Sequence, residues 1–272
     1  MTIQSTNRLI YELRRLIGLV LARGRLHRIR TVCVDGAQVI MKSRRCGSGF
    51  VVPLGNLFLF LEGSDVEILP EREWLQWELA VDAATSGDCI FRSYPVPHNH
   101  FRGLLSRKCP GQPLREILVD VTWSLDQKLA AIRWALYALY QLHRQRANWG
   151  NGNLQSISHG DATADNVIVS IKSKSARWID FDTRHRSHFS EIDRRADDLR
   201  ALLFSSAACL PPTCYGCLAH TFMSSHSDEQ VLNRLRERLL SDWRKLNTYQ
   251  LAQAPLSWVH ADSLSQLLLS IS

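Results

Sequence analysis

The first third of the chain begins with a predicted helix and continues with short runs of β-branched and apolar residues, which are typical of strands. Residues 27–43 hold two β-branched runs around an Asp-Gly dipeptide, which favours a tight hairpin turn. Residues 49–62 hold two apolar runs on either side of a Gly-Asn dipeptide, which predict a second pair of strands. Residues 89–94 and 101–108 are further strand candidates. The pattern predicts a small antiparallel sheet.

Apolar residues at helical spacing indicate one helix beside this sheet and several helices after it. Residues 71–84 directly follow a proline and contain good helix formers. Ser124 and Gln127 have the spacing of a capping box, and apolar residues then recur at steps of three and four as far as His143. Residues 231–246 repeat this spacing. The second part of the chain is therefore predicted to be mostly helical.

A break in the pattern at CPGQPL suggests a boundary between two lobes, because prolines and glycine interrupt regular structure there. We expect residues 1–108 to form an N-terminal lobe with an N-terminal helix, the antiparallel sheet and one further helix. Residues 109–272 are expected to form a mostly helical C-terminal lobe. The predicted fold class is α+β.

Composition and charge narrow the classes of function. The formal net charge is +7, so the surface attracts phosphate-bearing partners such as nucleic acid, anionic lipid or a phosphorylated small molecule. No stretch of eighteen uncharged apolar residues is present, so we predict no membrane span. The cysteines are scattered and odd in number, which favours a reducing cytoplasm over a disulfide scaffold.

The stretch SHGDATADNVIVS places a carboxylate and a carboxamide side chain, which could serve in catalysis, directly before an apolar strand. Asp161 and Asn166 are five positions apart, and Asp180 follows a second apolar strand fourteen residues later. A hairpin of these two strands would bring Asn166 and Asp180 together. Phosphoryl transfer needs a carboxylate that takes the proton of the attacking hydroxyl, and oxygen ligands for Mg²⁺.

The motif HGDATADN followed by IDFD resembles the catalytic loop and metal-binding motif of the protein-kinase-like superfamily. The His-Gly-Asp form is similar to its bacterial and small-molecule branches: aminoglycoside phosphotransferases, choline kinases and lipopolysaccharide core kinases. The continuation RADDLRALLFSSA resembles the lipopolysaccharide-kinase type. The resemblance covers residues 130–207 well, and residues 37–120 only in the order of elements. It implies a bilobal protein-kinase-like fold that uses ATP and Mg²⁺.

The resemblance also implies roles for individual residues. Asp161 would be the catalytic base, and Asn166 and Asp180 would be the Mg²⁺ ligands. Lys42, on the strand QVIMK, would contact the α and β phosphates of ATP, although it could also be an ordinary exposed lysine. Glu78 would be the carboxylate partner of Lys42, and we prefer it to two other glutamates at positions 71 and 73 because it lies mid-helix beside apolar neighbours.

Two supporting roles follow from the same resemblance. His159 would pack beneath the catalytic loop, and Asp198 would accept hydrogen bonds from backbone N–H groups of that loop. Asp165 and Asp182 neighbour the proposed ligands; we favour a solvated or turn-capping role for both over metal contacts.

The chain departs from the family pattern in three respects. No GxGxxG motif precedes Lys42, which puts the phosphate-covering loop in doubt. Gly160 stands where regulated protein kinases carry an arginine that reads phosphorylation. Asp197 follows Asp180 by seventeen positions, which leaves little room for a peptide-docking platform.

We therefore expect an ATP- and Mg²⁺-dependent phosphotransferase that acts on a hydroxyl of a sugar-containing small molecule or a glycolipid. A Ser/Thr protein kinase and a pseudokinase used as a binding scaffold are the alternatives; the missing glycine motif favours the scaffold, and the intact polar triad opposes it. We expect a cytoplasmic location with peripheral contact to anionic membrane, and no nucleic acid partner.

A basic cluster could receive an anionic acceptor or form a solvated surface; its members are Arg184, His185, Arg186, His188, Arg194 and Arg195.

Overall fold

The structure is a computed structural model that describes residues 26–34, 37–45, 47–61, 63–85, 103–149, 153–242, 250, 256 and 258–271. The strands are β1 (His27–Val34), β2 (Ala37–Arg44), β3 (Val66–Ile68), β4 (Gly103–Arg107), β5 (Gln112–Pro113), β6 (Arg146–Trp149), β7 (Asn153–Ser156), β8 (Val167–Ser170), β9 (Ser175–Trp178) and β10 (Thr183–His185). The helices are α1 (Ser48–Leu61), α2 (Glu71–Thr85), α3 (Leu114–Val119), α4 (Leu125–His143), α5 (Glu191–Ala207), α6 (Tyr215–Ser225), α7 (Glu229–Asp242) and α8 (Trp258–Ser270).

The N-terminal part is built on a three-stranded antiparallel sheet in the order β1-β2-β4. The predicted hairpin of β1 and β2 is confirmed, and β4 confirms the strand expected within residues 101–108. Lys42 lies on the central strand, paired with Ile29 on one side and Leu104 on the other. The strand expected at residues 89–94 and the expected N-terminal helix lie outside the described residues.

The second predicted pair of strands is wrong, because residues 48–61 form helix α1. The helix buries Val52 and Leu59 against Ile68 of β3. Asn56, expected in a turn, uses its side chain to cap the edge of β3: Nδ2 donates to Ile68 O at 2.8 Å, and Oδ1 accepts from Ile68 N at 2.7 Å. Gly55 fits the close approach, since a Cβ there would lie 3.0 Å from Ile68 Cδ1. The N-terminal part thus contains two helices among the described residues.

Helix α2 follows β3 and confirms the helix predicted at residues 71–84. Its buried face carries Trp74, Trp77, Glu78 and Val81, so a glutamate occupies a position that would ordinarily be apolar. Strand β3 pairs antiparallel with β10, which lies far along the chain. This pairing ties the N-terminal part to the segment that follows β9.

The remainder is mostly helical, as predicted, with α4 at its centre. Ser124 and Gln127 form the predicted capping box at the start of α4. The buried face of α4 packs against the β8–β9 hairpin and the C-terminal helices, and Ile132, Leu136 and Leu139 are fully buried. Helix α7 confirms the helix predicted from residue 231. The fold class is therefore the expected one: a small antiparallel sheet region followed by a mostly helical part.

Within the described part of the chain, none of the helices combines the length and the apolar character needed to span a bilayer.

His226, between α6 and α7, makes the stability of this helical part dependent on pH. Burial and the nearby His143 lower the pKa of His226 to about 4. The ring stands edge-on against Tyr140, and its Nδ1 accepts a hydrogen bond from the backbone N–H of Asp228 at 3.2 Å. The unfolded chain, whose histidine pKa is about 6.5, therefore binds a proton that the folded chain excludes between about pH 6.5 and pH 4.

We expect the free energy of unfolding to fall as the pH falls through this window, by at most about 3 kcal/mol for this one group. His226→Gln removes the titrating ring, so its stability should depend less steeply on pH. Urea unfolding at about pH 7 and about pH 5 measures both slopes. Equal slopes for the two proteins would show that His226 does not titrate in this range.

Candidate functional site

The β8–β9 hairpin brings Asn166 and Asp180 to the same end of a strand pair. Val167 of β8 pairs with Trp178 of β9, and the backbone N–H of Ile179 donates to Asn166 O at 2.9 Å. Asn166 is therefore hydrogen-bonded to the residue directly before Asp180. Asp180 adopts a positive φ of 68°, which turns the chain sharply where its carboxylate is presented.

Asp161 and Asn166 are joined by hydrogen bonds within the loop that precedes β8. Asn166 Nδ2 donates to Asp161 Oδ2 at 2.7 Å and to the Asp161 carbonyl at 2.8 Å. Both bonds use the amide nitrogen, so the amide oxygen is the atom with which Asn166 can ligate a cation. Asp161 is 1% exposed, and its carboxylate is held in one orientation by this contact.

The loop is anchored from below by Asp198 on α5. Its Oδ2 accepts from the His159 N–H at 2.7 Å and its Oδ1 from the Gly160 N–H at 2.9 Å, which confirms the predicted contact. His143 Nε2 lies 2.9 Å from the same carboxylate. Burial would raise the pKa of Asp198, but interactions with His185 and His143 outweigh burial and lower it.

His159 packs beneath the loop as predicted. Its Nε2 lies 2.8 Å from the Ile179 carbonyl, and its ring is 4.6 Å from that of Phe181, centroid to centroid. Burial lowers the pKa of His159, which favours the neutral ring. The ring therefore connects the loop with the strand end that carries Asp180.

Gly160 is needed for close packing of the loop against β10. It adopts a φ of +78°, and a Cβ there would lie 3.0 Å from the Cα of Arg184.

We expect Gly160→Ala to lower the free energy of unfolding by about 1–3 kcal/mol, measured by denaturant titration. Gly216→Ala is the matched control, since nothing lies within 4 Å of its added Cβ; it should be neutral or slightly stabilising. Equal stability of both variants would contradict the packing argument.

Lys42 joins three segments that are far apart in the sequence. Its Nζ lies 3.1 Å and 3.3 Å from the two carboxylate oxygens of Glu78 on α2, and it also contacts Asp180 Oδ1. The Trp74 indole N–H donates to Glu78 Oε2, so the glutamate is fixed from both sides. Lys42 is buried, and the alternative of an ordinary exposed strand lysine is wrong.

Buried carboxylates around Lys42 create a net negative environment. Burial would lower the pKa of Lys42, but Asp180 and Glu78 outweigh it and raise that pKa well above its usual range. Burial also raises the pKa of Glu78, an effect that the Lys42 charge opposes. For Asp180 the Lys42 charge outweighs burial and lowers the pKa to about 2. Burial and the Asp180 charge raise the pKa of Asp182 to about 7. Lys42 thus stabilises an ionised Asp180.

Comparison with known proteins gives little beyond this geometry. No family model and no curated protein matches the chain. Among solved structures, a MAP kinase from Leishmania major is 13% identical and has a TM-score of 0.30, with 94% of this chain and 81% of that chain covered. A likeness at this level does not assign a function, so any functional conclusion depends on the site itself.

His27 of β1 belongs to the site and was missed by sequence reasoning. Ligand atoms of His27, Asp180 and Asp182 lie within 4.8 Å of one another, an arrangement that could hold a metal ion. Burial and Lys42 lower the pKa of His27 to about 2. The Lys42 ammonium already contacts this group, so a cation among the three would have to compete with it. A signal existed: with the Asp-Gly dipeptide as the turn, the hairpin register places His27 on the same face of β1 as Ile29, the partner of Lys42.

The two neighbouring acids differ from each other. Asp182 is buried, and its Oδ2 lies 3.6 Å from His27 Nδ1, so a solvated or turn-capping role is wrong for it. Asp165 is partly exposed and accepts a hydrogen bond from Arg115 at 3.0 Å. Only Asp182 therefore adds to the charge around Lys42.

The basic cluster past Asp180 is used largely within the fold. Arg184 donates to Glu67 at 2.7 Å, and Arg194 donates to Ser156 at 2.8 Å. His185 lies between Ser158 and the buried Asp197, at 2.9 and 3.1 Å. These side chains hold β10 and α5 in place and do not form a common surface for an anionic acceptor.

Proposed function

We propose that this protein is an ATP- and Mg²⁺-dependent phosphotransferase that phosphorylates a hydroxyl of a sugar-containing small molecule or a glycolipid. The proposal rests on one observation: the Lys42 ammonium meets Glu78 and Asp180 at once, although these residues lie 36 and 138 positions away in the sequence. A buried lysine between the buried Glu78 and the partly buried Asp180 is expensive in free energy. Such an arrangement is expected where a site must position phosphate and metal.

The nucleotide would be held by the side of the site that contains Lys42. Glu78 would orient the Lys42 ammonium, whose positive charge could then contact the α and β phosphates of ATP. Asp180 Oδ2 and the amide oxygen of Asn166 are the atoms suited to Mg²⁺, which prefers hard oxygen ligands. When bound, the ion would neutralise the phosphate charge that develops during transfer. Asp180 is ready for this role, since Lys42 keeps it ionised.

Asp161 would act on the acceptor. Asn166 holds the Asp161 carboxylate through Oδ2, and the loop beneath is fixed by Asp198. A carboxylate positioned in this way can accept the proton of a hydroxyl as that oxygen attacks the terminal phosphate. The proton would move to Asp161, the bond between the γ-phosphorus of ATP and its bridging oxygen would break, and the phosphoryl group would pass to the acceptor oxygen while ADP leaves.

The short connection after the metal-binding strand supports a small acceptor. Strand β10 ends at His185 and α5 begins at Glu191, so five residues connect them. β10 is also paired with β3, and Arg184 binds Glu67 on β3 and Glu73 on α2. This leaves little chain from which a docking platform for a peptide could be made, which favours a small molecule or a glycolipid as acceptor.

Transfer of label from γ-labelled ATP to defined mixtures tests the proposal. We expect Mg²⁺-dependent incorporation into a sugar-containing metabolite or envelope glycolipid fraction, and none into a casein-like protein. Incorporation into protein alone would replace the proposal with a Ser/Thr protein kinase. Absence of any thermal stabilisation by ATP with Mg²⁺ would favour the binding scaffold.

A further inference from the structure

Helix α1 carries two opposite apolar faces, only one of which is buried. Val52 and Leu59 face β3, and the opposite face repeats large apolar residues at steps of four, three and four. We call this second face the outward stripe; its members and exposed fractions are Phe50 (87%), Leu54 (64%), Leu57 (54%) and Leu61 (73%). Four such side chains expose an apolar area on the order of several hundred Å², which is large for a surface without a partner.

The composition of α1 is unusual for a surface helix. Residues 48–61 contain no charged side chain. Surface helices ordinarily present polar residues to water, and a helix that is apolar on all sides is normally buried in protein or in lipid. The outward stripe therefore leaves large apolar side chains in contact with water, which is expected at a surface where a partner binds.

Basic side chains lie near both ends of α1. Arg45 is exposed and comes just before the first turn of α1, and the Arg186 guanidinium lies over the ring of Phe60 near the last turn, 5.6 Å from its centroid. Arg28 is exposed on β1, two residues after Leu26, which packs against the buried face of α1. Asp65, which follows α1, is neutralised by Arg238 at 2.9 Å.

We propose that the outward stripe of α1 is a docking element for anionic lipid bilayers, inserting between headgroups while the flanking arginines bind lipid phosphates. An uncharged helix with leucine and phenylalanine on one face and arginines at its ends suits the membrane interface, where both apolar burial and negative charge are available. Protein interfaces ordinarily have a polar rim, and α1 contributes no charged side chain along its length. The proposal does not depend on phosphotransfer.

Co-sedimentation of the full chain with lipid vesicles tests this docking element. We expect binding to vesicles of equal parts phosphatidylcholine and phosphatidylglycerol, and much weaker binding to phosphatidylcholine alone. The double substitution Leu54→Gln and Leu57→Gln should weaken binding about tenfold or more, because both side chains would lose their transfer into lipid. Arg186→Gln should weaken binding to the anionic vesicles about fivefold and leave binding to neutral vesicles unchanged.

The matched control is Val121→Gln with Leu154→Gln, which replaces two exposed apolar residues elsewhere in the described chain. This control should bind as the wild type does. Circular dichroism and the melting temperature check that each variant is folded; the substituted apolar side chains are exposed, and Arg186 is partly exposed. The proposal is overturned if the wild type binds neither kind of vesicle, if the stripe variant binds as the wild type does, or if light scattering shows that the stripe instead holds two copies of the chain together.

Discussion

Asp161→Asn should reduce the rate of phosphate transfer by about 100-fold to 10,000-fold, the range by which a positioned proton acceptor accelerates such reactions. The substitution retains the shape of the side chain but removes the charge that accepts the hydroxyl proton. Affinity for ATP should change little, because the nucleotide is held through Lys42, Asn166 and Asp180. The rate and the nucleotide affinity are measured separately, by label transfer and by calorimetry.

Asp165→Asn provides the control for this prediction. Asp165 lies in the same loop, but it is partly exposed and binds Arg115 at 3.0 Å. Loss of that surface ion pair should change stability by less than about 1 kcal/mol and leave the rate nearly unaltered. A fully active Asp161→Asn protein would refute the assignment of the base.

Lys42→Met should destabilise the protein by about 3–5 kcal/mol and abolish ATP binding, since it leaves buried carboxylates without their counter-charge. Glu78 and Asp180 both contact the lysine and would have to take up protons in its absence. The pKa of each would then lie above that in the unfolded chain. Stability of the variant should therefore fall as the pH rises through those raised values.

Adding Glu78→Gln to Lys42→Met should restore part of the lost stability, because one of the buried charges is removed. Urea unfolding of the single and double variants measures the recovery. Lys108→Met, at an exposed lysine, is the control and should be near neutral. If the double variant is less stable than Lys42→Met, the charge argument is wrong.

Local sequence signals predicted those elements whose conformation is determined by residues within a few positions of one another. The Asp-Gly dipeptide identified the β1–β2 hairpin, and Ser124 with Gln127 identified the start of α4. The loop motif predicted that Asn166 and Asp180 would lie at one end of a hairpin, as they do. In these cases, residues that are close in sequence determine the backbone conformation through a turn, a helix cap or a strand pairing.

Helix α1 and His27 depend on tertiary contacts, which explains why they were not predicted. The apolar run of residues 49–62 has no polar face, so its period could not distinguish a helix from strands. The Gly-Asn pair resembles a turn, yet Asn56 is used to satisfy the backbone of Ile68. His27 enters the site through burial against Trp74, with 4.5 Å between ring centroids; the hairpin register indicates the face of β1 on which His27 lies, but not this contact.

Affinity for ATP with and without Mg²⁺, compared between the wild type and Asp180→Asn, tests the central claim most directly. The claim is that Lys42, Asp180, Asn166 and Asp161 form one site for a metal-bound nucleotide. Calorimetry should show that Mg²⁺ tightens ATP binding to the wild type and has no such effect on Asp180→Asn. Absence of ATP binding by the wild type, or an equal effect of Mg²⁺ on both proteins, would contradict it.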